Sequence, residues 1–289
     1  MRYMKITIIL CLLFLSYSVK AEKIINFESN FPDWDVIDFK IKNNNKIYNI
    51  TYKEIDNLDL KLDIYYPFFS VEKRYPVIIF IHGGGFIIGD KNDINRFELL
   101  LNSFLEEGWA VISINYRLIN ENTLFPDNLD DVKSALDWVY DNAEKYEFNT
   151  EKIGIWGSSA GGNLALMTEL TYQKGEVRSM ETIIDLPIDF VISFAGPTDL
   201  LNKNLVLQKR ISSFIIGEEI SESLLKKASP IYYINKNTSP VLIIHGKNDM
   251  IVPYEQSLVF FNKMKELNKE CKLISLDSGH TISPSFFSG

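Results

Sequence analysis

Residues Lys152-Ile-Gly-Ile-Trp-Gly-Ser-Ser-Ala-Gly-Gly-Asn-Leu-Ala-Leu-Met-Thr-Glu-Leu170 decide the fold. Lys152 to Trp156 reads as a strand and Asn163 to Leu170 as a helix. Between them, Gly157-Ser-Ser-Ala-Gly161 fits G-x-S-x-G. A strand-to-helix turn of this kind is tight and strained, and it lifts the hydroxyl of its central residue, Ser159, above the sheet edge. A side chain at Gly157 or Gly161 would collide across the turn. Gly and Ser are common residues, so the pattern draws its weight from its flanks and from partners elsewhere in the chain.

Outward from this stretch, the chain alternates between strands and helices. Val77-Ile-Ile-Phe-Ile81 is a continuous apolar run, the mark of a strand covered on both faces. A helix over Asp93–Glu107 and a strand over Ala110–Ile114 follow. Leu129 to Lys145 is amphipathic, with Leu129, Val132, Ala135, Leu136 and Val139 on one face at helical spacing. Further strands are expected over Phe190–Phe194, Val241–Ile244 and Cys271–Leu276, with a helix from about Tyr254 to Leu267. Tyr48–Tyr52 and Leu60–Tyr66 alternate apolar and polar residues, as an antiparallel pair at a sheet edge would. The alternation implies right-handed βαβ crossovers and an α/β fold with a mostly parallel sheet and helices on both faces. Residues 200–239 interrupt the rhythm with short helical pieces. They form a cap-like insertion that either covers the site as a lid or packs on the sheet top.

Ser159 needs a base to take its proton. The chain has three histidines: His82, His245 and His280. His82 opens a glycine run and His245 ends a strand. His280 lies in a loop after the last strand that can reach back over the serine turn, which makes it the expected base. Asp249 follows the strand Val241–Ile244. Alone it would read as a turn or capping acid; with His280 downstream it reads as the group that orients the imidazole. Gly83, Gly84 and Gly85 let the backbone turn its N–H groups toward a developing oxyanion, and the N–H of Ala160 would be a second donor site. The run does not fit a phosphate-binding loop, since neither G-x-x-x-x-G-K-[ST] nor G-x-G-x-x-G is present. His82 is expected to fix this loop rather than act as a second base. Phe86, Tyr116 and Trp156 are candidates to line the substrate pocket. No histidine or cysteine pair has zinc spacing, and neither a metal nor another cofactor is expected.

The chain resembles the esterase/lipase branch of the α/β-hydrolase superfamily. In particular it looks like the bacterial feruloyl- and acetyl-esterase-like members close to the hormone-sensitive-lipase family. The resemblance rests on Ile81-His-Gly-Gly-Gly-Phe-Ile-Ile-Gly-Asp-Lys91, Ile114-Asn-Tyr-Arg-Leu118, Phe125-Pro-Asp-Asn-Leu-Asp-Asp-Val132, Ile155 to Gly162, Ala195-Gly-Pro-Thr-Asp-Leu200, Ser229-Pro230 and Ile244-His-Gly-Lys-Asn-Asp249. It covers roughly residues 60 to 280. The chain order Ser, Asp, His is the order of that family's triad. The resemblance implies Ser159, Asp249 and His280 as catalytic residues and Gly83, Gly84 and Ala160 as the oxyanion hole. The activity it implies is hydrolysis of carboxylic esters through an acyl-enzyme. A serine peptidase or an arylformamidase on the same fold is the alternative. Members of the family continue into a last helix, where nine residues follow His280 here.

The N-terminus reads as a separate object. Met1-Arg-Tyr-Met-Lys5 is basic, Ile6–Val19 is apolar but short for a membrane span, and Val19 and Ala21 are small. A secretory signal peptide cleaved after Ala21 is expected, with residues 22–289 as one domain, and hence a secreted or periplasmic protein. Cleavage removes Arg2, Lys5 and Lys20 and no acid, taking the formal charge from −8 to −11. That disfavours nucleic acid and anionic membranes as partners. The expected partner is a small-molecule or carbohydrate-linked ester; the oligomeric state is not legible. Cys271 would be the sole cysteine left, and it reads as a buried small hydrophobe.

Overall fold

A computed structural model describes residues 45–67, 73–172, 188–201 and 222–281. The expected signal segment, residues 202–221 of the insertion and residues 282–289 lie outside the described residues. Among the described residues, one eight-stranded sheet runs in the order β1-β2-β4-β3-β5-β6-β7-β8. β1 (Lys46–Ile55) pairs antiparallel with β2 (Leu58–Tyr65), and β2 pairs antiparallel with β4 (Ala110–Ile114). The other strands run parallel to β4: β3 (Tyr75–Ile81), β5 (Phe148–Ser158), β6 (Phe190–Phe194), β7 (Val241–Gly246) and β8 (Cys271–Leu276). The edge pair and the mostly parallel sheet match expectation.

The apolar runs of the central strands follow from burial on both faces. In β3, Val77, Ile79 and Ile81 join one core, while Ile78 and Phe80 join the other. The first core takes Leu129, Val132, Ala135, Leu136 and Val139 from a helix over Asp127–Asp141, and Leu164 and Leu166 from a helix over Ala160–Tyr172. The second takes Leu100, Leu101, Phe104 and Leu105 from α1 (Glu98–Glu106). Among the described residues, the remaining helices in chain order after α1 are α2 (Asp127–Asp141), α3 (Ala143–Tyr146), α4 (Ala160–Tyr172), α5 (Glu222–Lys227) and α6 (Glu255–Glu266).

Two helices expected as continuous are divided. The segment after β3 begins as a 3-10 helix, Lys91–Phe97, capped by Asp90, and becomes α1 only after Phe97 leaves helical geometry. The amphipathic helix breaks at Asn142, between α2 and α3. Within the insertion, α5 sends Leu225 into the first core, and the turn after it buries Ala228.

Candidate active site

The site assembles at the carboxyl edge of the sheet, where parallel strands release their loops. β5 ends at Ser158, and Ser159 turns the chain at φ +54° before α4 begins. This is the left-handed region, which costs a non-glycine residue about 1 kcal/mol or more. The surroundings hold it there. Ser159 N–H donates to the Phe194 carbonyl at 2.7 Å, and the Ser159 carbonyl accepts from Asn163 N–H at 3.1 Å. A Cβ on Gly157 would lie 2.0 Å from the Gly161 carbonyl oxygen, and one on Gly161 would lie 2.1 Å from that of Ile81. Both glycines are thus required by close backbone approach, as the sequence suggested.

The loops that follow β7 and β8, which carry Asp249 and His280, are laced together. Lys247 N–H donates to the Leu276 carbonyl at 2.8 Å, and Asn248 N–H to the Ser278 carbonyl at 3.0 Å. Gly246 lets the second loop lie close, since a Cβ there would meet the Ser278 and Gly279 carbonyls within 2.4 Å. These contacts bring His280 Nδ1 to 2.6 Å from Asp249 Oδ2, and His280 Nε2 to 3.0 Å from Ser159 Oγ. Nδ1–H faces a carboxylate and must donate, which leaves Nε2 to accept the serine proton. Burial pushes the Asp249 carboxyl up, but hydrogen bonds from His245, His280 and Val252 N–H outweigh it and hold it well below the usual carboxylate range. Asp249 is therefore ionised wherever the imidazole is neutral.

Gly83 lies against the serine: a Cβ on it would be 3.4 Å from Ser159 Cβ and 2.9 Å from the Ser158 carbonyl. Gly84 takes φ +104°, and a Cβ there would sit 1.9 Å from the Ile88 carbonyl oxygen. Ile87 and Ile88 N–H both donate to the Gly84 carbonyl at 3.1 Å, which closes the loop on itself. Ala160 opens α4, whose first backbone bond is made by Asn163, so the Ala160 N–H has no partner within the helix. The N–H groups of Gly83, Gly84 and Ala160 thus come from two elements that meet at Ser159.

His82 is buried; its Nδ1–H donates to the Gly83 carbonyl at 2.8 Å, and its ring stacks on Tyr116 at 4.2 Å. Tyr116 Oη donates to the His82 carbonyl at 3.1 Å. Burial lowers the His82 pKa, partly opposed by its bond to Gly83. His82 braces the glycine loop, as expected. Tyr116, which the sequence offered as pocket lining, does the same. Of the other two such candidates, Phe86 is buried in the first core, and Trp156 is fully buried among Phe80, Phe97, Phe104 and Phe194 in the second. Its side chain points to the opposite face of β5 from Ile155, as alternation along a strand requires. Burial pushes the Cys271 thiol up to about 12, which leaves an inert buried group. No group of three or more His, Cys, Asp or Glu suited to a metal ion occurs among the described residues.

Sequence reasoning missed His245. It is buried at the end of β7, with Nε2 3.0 Å from the same Asp249 oxygen that His280 contacts. The only available signal was its spacing of four residues from Asp249.

The chain belongs to the BD-FAE family, which matches residues 62–264, within the esterase and lipase branch of the α/β-hydrolases. It is similar to esterase LipC of Mycobacterium tuberculosis, 27% identical over an alignment of 204 residues, with 68% of this chain and 50% of LipC covered. Among solved structures it is similar to a bifunctional GH43-CE protein of Bacteroides eggerthii, with 29% identity and TM-score 0.71, covering 84% of this chain and 37% of the other. It is also similar to a thermophilic esterase, Est2, of the Planctomycetes species Thermogutta terrifontis, with 28% identity and TM-score 0.65, covering 82% of this chain and 83% of that one. The chain spans about half the length of the curated relatives LipC, LipM and LipQ.

Proposed function

We propose that this chain is a serine hydrolase of carboxylic esters, with Ser159 as nucleophile, His280 as base and Asp249 as the group that orients it. The observation that carries the reading is the relay of 3.0 Å from Ser159 Oγ to His280 Nε2 and 2.6 Å from His280 Nδ1 to Asp249 Oδ2. Ser159 Oγ attacks the ester carbonyl while its proton passes to His280 Nε2. The oxyanion rests on the N–H groups of Gly83, Gly84 and Ala160; each such donor is typically worth about 3 kcal/mol in the transition state. His280 then returns the proton to the leaving alkoxide, and the acyl group stays on Ser159. Water deprotonated by His280 attacks the acyl-enzyme, and Ser159 Oγ leaves as the acid forms, taking that proton back from His280 Nε2. Asp249 stays ionised and stabilises the imidazolium in both halves.

The similarity to an esterase, and to a chain that pairs a CE unit with GH43, favours an ester carried on a carbohydrate over a peptide or formamide. A panel of p-nitrophenyl esters from acetate to palmitate, run beside acetylated xylan, methyl ferulate, a peptide amide and N-formylkynurenine, tests this. Faster turnover of the peptide or the formamide than of any ester would overturn it. Export after cleavage at Ala21 belongs to the same proposal and rests on the sequence of residues 1–21. Sequencing the N-terminus of protein from a secreting host should find Glu22; retention with Met1 in place would contradict it.

A further inference from the structure

Asp249 has more donors than a triad acid needs for one imidazole. Oδ1 accepts from Ile251 N–H at 2.8 Å and from Val252 N–H at 2.9 Å. Oδ2 accepts from His280 Nδ1–H at 2.6 Å, and His245 Nε2 lies 3.0 Å from the same atom. A carboxylate has about four lone-pair sites, so these four groups fill it.

The partners of His245 fix its tautomer. Nε2 faces two acceptors, Asp249 Oδ2 and the Val252 carbonyl at 2.9 Å, so it must carry the hydrogen. Nδ1 forms a hydrogen bond with the Ser257 hydroxyl at 2.6 Å. Ser257 is buried on α6, and the Tyr254 ring meets the imidazole edge-on at 5.7 Å. Both ring nitrogens are thus hydrogen-bonded, which holds the orientation of the imidazole.

From this geometry we propose that His245 is a positioning residue for ester hydrolysis. Its Nε2–H, oriented by Ser257, holds Asp249 Oδ2 at the one angle that receives His280 Nδ1–H. The inference rests on the triad reading above. Without the His245 donor the carboxylate keeps its two backbone bonds at Oδ1 but has only His280 at Oδ2, so that oxygen can tilt out of line with His280 Nδ1–H. The imidazole then spends less time with Nε2 aimed at Ser159. Such a loss belongs to the chemical step and leaves substrate binding alone.

The test compares His245→Leu, His245→Gln and Ser257→Ala with wild type. The readouts are kcat and KM on p-nitrophenyl acetate, the rate of Ser159 labelling by a fluorophosphonate, and thermal stability. His245→Leu should lower kcat and the labelling rate by about tenfold or more, with KM within about twofold of wild type, as expected for loss of a hydrogen bond to a charged group. His245→Gln places an amide N–H near the lost Nε2–H and should recover most of that rate, even where it is no more stable than His245→Leu. Ser257→Ala removes the partner that holds the ring from Nδ1 and should lower kcat in the same direction by a smaller factor. A folded His245→Leu enzyme with wild-type kcat overturns the proposal, as does a His245→Gln enzyme as slow as His245→Leu. If His245→Leu does not fold, Ser257→Ala decides, and unchanged kcat there overturns it. Wild-type protein that neither cleaves the ester nor takes the label would overturn the triad reading as well.

Discussion

His280 Nε2 lies 3.0 Å from Ser159 Oγ, although 121 residues separate them in the chain. The contact exists because β5 and β8 end at the same edge of one sheet and because the loop after β8 is tied back to the loop after β7. Ser159 can pass its proton only to a neutral imidazole held with Nε2 toward it. Asp249→Asn removes that hold and should lower kcat by roughly 10⁴-fold with KM little changed. In wild type, kcat/KM should fall on the acid side as one proton binds. Asp249 is held ionised below the usual carboxylate range, so that proton is not its own. A pH–rate profile of both proteins checks this; near-normal kcat in Asp249→Asn would remove it from the mechanism.

The glycine loop gives a second prediction. Gly84 holds φ +104°, and a Cβ there would meet the Ile88 carbonyl at 1.9 Å, so alanine must rearrange the loop. Gly84→Ala should lower kcat by about 10²- to 10³-fold, the cost of one misplaced oxyanion donor, while the two cores stay packed. Steady-state kinetics beside circular dichroism read both. A folded Gly84→Ala enzyme at wild-type rate would take Gly84 out of the oxyanion hole.

Asp131 is a stability prediction away from the chemistry. It is buried on α2, with Oδ1 2.6 Å from Lys53 Nζ and Oδ2 2.8 Å from Arg117 Nε. Arg117 also donates its backbone N–H to Oδ2 at 3.0 Å. Asp131→Asn leaves two cations facing a neutral amide. Both are partly exposed, so solvent screens part of the loss, and about 2–3 kcal/mol is expected rather than the full cost of breaking a buried pair. Urea denaturation measures it; a shift under about 0.5 kcal/mol, the range of ordinary surface changes, would contradict the assignment.

Glu169 predicts how stability depends on pH. Burial pushes its carboxyl from 4.5 up to about 7, against the pull of hydrogen bonds from Ser239 and the charge of Lys269. Between those values the folded state holds the proton and the unfolded chain has lost it. Stability therefore falls as pH rises through that window, and the full loss is present above it, up to roughly 3 kcal/mol. Glu169→Gln keeps an acceptor for Ser239 N–H and cannot ionise. Its stability relative to wild type should rise from pH 5 to pH 8 in thermal melts; parallel curves would show that Glu169 does not titrate in this window.

Much of this arrangement was legible because local chemistry dictated it. The strands covered on both faces had to be apolar throughout, so β3, β4, β6 and β7 could be read from their runs. Gly157 and Gly161 marked the serine turn because no side chain fits there. Asp249 and His280 were recognisable by their place after β7 and β8. What escaped was set by tertiary contacts. Nothing local distinguishes Trp156 as a core residue from Trp156 as pocket lining; the face it takes is decided by strand register. The break at Asn142 and the 3-10 start before α1 lie within segments of helical periodicity. The role of His245 depends on Ser257 and Asp249 arriving from separate elements.

The central claim is that Ser159 is the nucleophile, activated by His280. Incubation of the intact protein with a fluorophosphonate, followed by peptide mass spectrometry, tests it most directly. The account predicts one adduct per chain, on Ser159, formed in step with loss of ester hydrolysis. It also predicts no adduct and at least about a thousandfold less turnover in Ser159→Ala, which should remain folded. An adduct on another residue, or a folded Ser159→Ala protein that keeps its esterase activity, would contradict it.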